Sequence, residues 1–165
     1  MKKPALGYFI GWQAAAFSLG AAAIHFAEIS PHIEEYWLFG AFFFVTAWFQ
    51  TASAVGVVVR PNRRLALVIA AVNLVVIAIW IWSRTAGLPI GPDAGEPETI
   101  GAADVLSTVL EALLVACTVG LLLRRVAAYG TPRGLGILAT MIVWVGVVAA
   151  TALLFFTGTG APMAH

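Results

Sequence analysis

Five long apolar stretches, each close to the length that crosses a bilayer, limit this chain to one class of fold. A membrane helix needs about 20 mostly apolar residues to span the hydrocarbon core. The qualifying segments cover approximately 6–29, 35–59, 65–82, 104–123 and 135–156. None shows the strict alternation of a membrane β-barrel strand. Breakers fall between them: Ser30-Pro31, Arg60-Pro61-Asn62, Gly130-Thr131-Pro132, and a Gly/Pro-rich outer loop over 83–103. Charged residues make up only 10% of the 165 residues, against about 25% in soluble domains. A water-soluble fold of this size could not cover its surface with so few. The expectation is an all-α polytopic membrane protein, a single transmembrane domain over 1–165 with five transmembrane helices. The apolar run behind Lys2-Lys3 is too long for a signal-peptide core and reads as a retained span.

Charge placement then orients the chain. In a five-span arrangement eight of the nine basic residues fall on one side, Arg84 being the exception, and all eight acidic residues fall on the other. Basic loops stay cytoplasmic. The N-terminus is therefore expected inside and the C-terminus outside, in the plasma membrane, the inner membrane of a bacterium. Trp37, Trp80 and Trp82 sit where an outer aromatic belt would lie. The formal net charge of +1, with no basic stripe, argues against nucleic-acid binding. A single cysteine, Cys117, excludes a disulfide scaffold.

Polar residues inside a bilayer face the bundle interior or a wet cavity, because lipid cannot solvate them. Their spacing gives each of the first four spans one polar stripe: Ser18, His25 and Glu28; Thr46, Gln50 and Ser53; Asn73, Trp80 and Arg84; and Asp104, Thr108, Glu111 and Thr118. The simplest packing is a four-helix bundle core with the stripes pointing inward. The fifth span carries no charge. It is expected to be peripheral and to offer a surface for a homo-oligomer; the remaining partner is the lipid bilayer itself.

The stripes bring His25, Glu28, His32, Glu35, Asp104 and Glu111 toward the acidic end of the bundle. Two imidazoles and several carboxylates suit a transition metal ion such as Zn, Cu, Fe or Mn. A cation would also relieve the cost of burying the Glu111 carboxylate. In this reading His25, Glu28, His32 and Glu111 ligate the metal, with Glu35, Asp104 and Arg84 as supporting or access groups. The site would serve uptake, sensing or a membrane redox reaction. A b-type haem fits poorly, since His25 is the one histidine inside a span. Two other readings compete. One is a metal-independent membrane enzyme in which Glu111 and His25 transfer a proton to or from a lipid-soluble substrate. It requires an apolar pocket open sideways to lipid beside Glu111, where the metal reading requires a compact polar centre with converging ligand atoms. The other is a non-catalytic subunit or assembly factor held together by a buried Glu111–Arg84 pair or a His25–Glu111 hydrogen bond. The loop over Thr85–Glu98, stiffened by its prolines, is expected to close over the mouth of the site with Leu88 and Ile90 turned toward the bundle. The phenylalanines from Phe39 to Phe49 read as lipid-facing or packing residues.

The segments Ala-Ile-His-Phe-Ala (23–27), Glu-Tyr-Trp-Leu-Phe-Gly (35–40) and Ile-Trp-Ser-Arg-Thr-Ala-Gly-Leu-Pro-Ile-Gly-Pro (81–92), with Asp104 and Glu111, resemble a group of small, uncharacterised multi-span membrane proteins of actinobacteria. The resemblance covers roughly the first four spans. It implies a multi-span membrane fold and carries no activity and no catalytic residue with it.

Overall fold

The computed structural model describes residues 6–123 and 135–158. Lys2, Lys3, Arg124, Arg125, Arg133, the 130–132 breaker and both chain ends lie outside the described residues. Five helices are present and no strand occurs among the described residues: α1 (Leu6–Glu35), α2 (Trp37–Val59), α3 (Arg63–Thr85), α4 (Ala102–Leu123) and α5 (Leu135–Gly158). The first four are long and apolar enough to cross a membrane. Within α5 the stretch Thr140–Leu153 is apolar but shorter than a span.

Side-chain size explains the packing. α1 touches α2, α4 and α5, while α3 packs chiefly on α4. The central position of α1 follows from its small residues: Ala14, Ala15, Ala16, Ala21 and Ala22 are all buried. Small side chains let helices approach closely where lipid supplies no hydrophobic drive for association. Large apolar residues take the outside instead, among them Val45, Trp48, Val55, Leu67 and Val75. Gly20 sets the contact of α1 with α4 and α5. A Cβ there would lie 2.5 Å from Val147 Cγ1 and 3.0 Å from Leu110 Cδ1. Gly20→Val should therefore push α5 away and cost about 1–3 kcal/mol by overpacking. A melting temperature in detergent equal to that of the wild type would refute this contact.

The helix ends differ from the sequence expectation in one instructive place. Ser30-Pro31 reads as a breaker between the first two spans. Instead α1 runs through Pro31 to Glu35, and the chain reverses at Tyr36 alone, with φ −158° and ψ 120°. A proline is tolerated within a membrane helix when its surroundings re-satisfy the freed backbone group. The helix is thus 30 residues, about 45 Å at 1.5 Å per residue, longer than a hydrocarbon core of about 30 Å. The sharp reversal needs Gly40, since a Cβ there would sit 2.9 Å from the Ile33 backbone nitrogen. The other connections match their punctuation. Asn62 caps α3 by accepting from Leu65 N at 2.9 Å, and Asp104 reaches back to Gly101 N at 2.9 Å at the start of α4. The α1–α2 and α3–α4 connections share one end of the bundle, the acidic end. Arg60, Arg63 and Arg64 mark the opposite end and are exposed.

Candidate functional site

One buried hydrogen-bond network joins all four bundle helices. Glu111 of α4 is 1% exposed and His25 of α1 is 4% exposed. Their Oε1 and Nε2 atoms lie 2.8 Å apart. The same Oε1 accepts from Gln50 Nε2 of α2 at 2.9 Å, and Gln50 Nε2 also reaches Asn73 Oδ1 of α3 at 3.1 Å. Asn73 Nδ2 donates to Ile69 O at 2.8 Å, and Ser18 Oγ donates to Gln50 O at 2.7 Å. Lipid offers no substitute partner for any of these groups, so each stripe is forced inward and the stripes lock to one another.

A cavity of about 330 Å³ lies above this network toward the acidic end. His25 and Glu111 contribute to its lining, and Phe39, Phe42, Phe43, Trp80 and Trp82 supply aromatic wall. The Phe43 ring stands 5.5 Å from that of His25 and 4.3 Å from that of His32. Four polar atoms on lining residues are buried without a hydrogen-bond partner: His25 Nδ1, Trp80 Nε1, Arg84 Nε and Thr108 Oγ1. Buried polar groups are normally satisfied, and an orphan needs a reason. Four such atoms around one cavity suit a site that a ligand completes.

The 86–101 loop covers the mouth. Leu88, Pro89 and Ile90 line the cavity, and a Cβ at Gly91 would meet the Phe39 ring at 2.7 Å. The loop is tied back to α3 by a Glu98 N to Ser83 O bond of 3.0 Å. Gly87, at φ +70°, lets the strands of the loop touch: a Cβ there would fall 2.5 Å from Glu96 N. Arg84 is the latch. Its Nη1 pairs with the Glu98 carboxylate, and its Nη2 donates to Asp104 Oδ2 at 2.7 Å.

The residues expected at a metal centre are therefore placed in three groups. His25 and Glu111 meet directly. His32 and Glu28 pair with each other, Nδ1 lying 2.8 Å from Glu28 O and 3.6 Å from Glu28 Oε2, and of the two only His32 lines the cavity. Glu35 is exposed at the end of α1. Among the described residues no group of three or more His, Cys, Asp or Glu is arranged to hold a metal ion. The expected Glu111–Arg84 pair is corrected: Arg84, at the end of α3, engages Glu98 and Asp104, and Glu111 engages His25 and Gln50. Glu98 is accordingly more than a solvated loop charge. The structure refines the reading of these phenylalanines as lipid-facing or packing residues: Phe49 packs on the core, while Phe39, Phe42 and Phe43 line the cavity. Phe39, Phe42 and Phe43 recur at i, i+3 and i+4 on one face of α2, a spacing that was available as a signal. Phe44 and Trp48 take the exposed side.

No family model matches this chain, and no curated protein or solved structure is significantly similar to it.

Proposed function

We propose that this is a multi-pass plasma-membrane protein that admits a lipid-soluble small molecule to the aromatic cavity and exchanges a proton with it through His25 and Glu111. The observation that carries the reading is the buried 2.8 Å contact between His25 and Glu111 on the wall of a largely apolar cavity. A cavity of a few hundred Å³ lined mostly by apolar and aromatic groups, with few polar atoms, is the form small-molecule sites take. An imidazole and a carboxylic acid in hydrogen-bond contact can hold a proton on either partner and pass it on. Gln50 fixes the carboxyl oxygen that receives it, and Asn73 and Ser18 fix Gln50. The distribution of basic residues supports the acidic end, with its cavity and loop, facing outward, and five spans with the N-terminus inside. The metal reading is favoured less, since only two of its four expected ligands converge.

Binding at this cavity is tested with Nile red, an uncharged lipophilic dye, on protein in lipid nanodiscs. Thr108→Phe fills the cavity from α4. The wild type should show saturable binding, and the variant should lose about tenfold or more in affinity while keeping its helical circular dichroism and its elution volume. Equal binding by both proteins would sink the reading.

A further inference from the structure

The charges around the cavity carry information about what enters it. Its titratable lining residues are His25, His32, Arg84, Glu98, Asp104 and Glu111. With both imidazoles neutral, one arginine faces three carboxylates, a formal balance of −2. Moving a proton onto the His25–Glu111 pair leaves −1. No placement of that proton makes the cavity neutral unless His32 or a second carboxyl is protonated as well. The single positive charge of Arg84 is already counted in this balance; its Nη1 and Nη2 serve Glu98 and Asp104, and its Nε has no partner.

The geometry points to a hydrophobic monocation, an organic ammonium on an aromatic or branched aliphatic body, as the class of molecule this cavity takes. The inference rests on the cavity reading above and adds the charge. Three further features agree with it. Five aromatic residues line the wall, and aromatic rings attract a cation most strongly when water is excluded. His25 is 4% exposed and lines the cavity, and its Nδ1 has no partner. When Nε2–H donates to Glu111, that Nδ1 holds a lone pair able to accept an ammonium N–H. Finally, a metal ion would be held by several converging His, Cys, Asp or Glu side chains, and no group of three such residues is so arranged among the described residues. An ammonium needs negative potential and apolar wall instead, and both are present.

Two isosteric probes that differ only in charge test the inference: benzyltrimethylammonium and its uncharged carbon analogue neopentylbenzene. Each is titrated against Nile red on the full chain in zwitterionic nanodiscs, with concentrations expressed in the membrane phase. The cation should displace the dye at about tenfold lower concentration than the neutral analogue. Glu98→Gln removes one negative charge at the mouth, on a loop outside the bundle, and should shrink that gap about threefold or more. Glu111→Gln should shrink it too, the gap being read in each protein as the ratio of the two probes so that a change in the cavity common to both cancels. Equal potency of the two probes in the wild type, or an unchanged gap in both variants, would overturn the cationic class while the cavity reading stands. Failure of Nile red itself to bind would overturn both.

Discussion

Glu111→Leu should lower the stability of the bundle by about 2–4 kcal/mol. The substitution strands the buried His25 Nε2 and takes from Gln50 Nε2 one of its two acceptors, leaving it only Asn73 Oδ1. Each buried polar group left without its partner costs about 1–3 kcal/mol in protein mutational series. Interhelical hydrogen bonds within bilayers average nearer 0.6 kcal/mol, because the unfolded chain in the membrane also finds partners. That correction pulls the total toward the lower end. Glu111→Gln keeps the size and retains hydrogen-bonding capacity, so it should cost about 1 kcal/mol or less while removing the exchangeable proton. The comparison separates structure from chemistry. Reversible unfolding in mixed micelles reads the stability difference; leucine and glutamine variants of equal stability would show that the network contributes little to holding α1, α2 and α4 together.

The second large effect is expected at Arg84. Its guanidinium joins the loop, through Glu98, to the start of α4, through Asp104. Arg84→Met keeps the apolar stem and removes the charge. Two carboxylates then face each other without a cation, and the loop loses its strongest tie to the bundle. A side chain only 9% exposed is screened far less than a surface pair. The loop should open more often, by about 1–3 kcal/mol, which corresponds to roughly fivefold to 150-fold faster amide exchange. Hydrogen exchange read by mass spectrometry should place the acceleration in residues 86–101 and leave α1 and α4 protected. Unaltered exchange in the loop would mean that Gly87, the Glu98–Ser83 backbone bond and Leu88 hold it closed without the latch.

Much of the fold was legible in the sequence because lipid imposes one rule on every span. A polar side chain with no water must find a partner, so Ser18, His25, Gln50, Asn73 and Glu111 could be turned inward from spacing alone. The meeting of His25 with Glu111 follows from the same rule. Partner choice was less legible. Arg84 and Glu111 both lie on inward stripes, but periodicity fixes a face and leaves open which charge a long side chain will reach. The pairing of Arg84 with Glu98 depends on the path of a 16-residue loop, 86–101, whose three positive-φ glycines bend it back. Pro31 misled for a related reason. Its cost is local, and the tight reversal at Tyr36, made possible by Gly40 against Ile33, offsets it with contacts that are distant in sequence. An apolar pocket beside Glu111 enters from the sequence only as the requirement of one reading; its existence is not fixed there. A void is what remains when Phe39, Phe42 and Phe43 fail to fill the space between α2, α3 and α4, and that depends on helix crossing rather than on any single residue.

The claim that His25 and Glu111 exchange a proton with a bound molecule has a direct spectroscopic test. The probe is N,N-dimethylbenzylamine, a lipid-soluble amine that carries a transferable proton, added to the membrane-reconstituted wild type labelled with ¹³C at the glutamate carboxyl. Infrared difference spectra compare the free and bound states. Proton transfer at the pair should appear as a change in the carboxyl stretching band, displaced by the isotope and therefore assigned to glutamate. The band should vanish in Glu111→Gln and should move in His25→Ala, whose carboxyl has lost its partner. A difference spectrum with no glutamate carboxyl band, or one that persists unchanged in Glu111→Gln, would contradict proton exchange at this site.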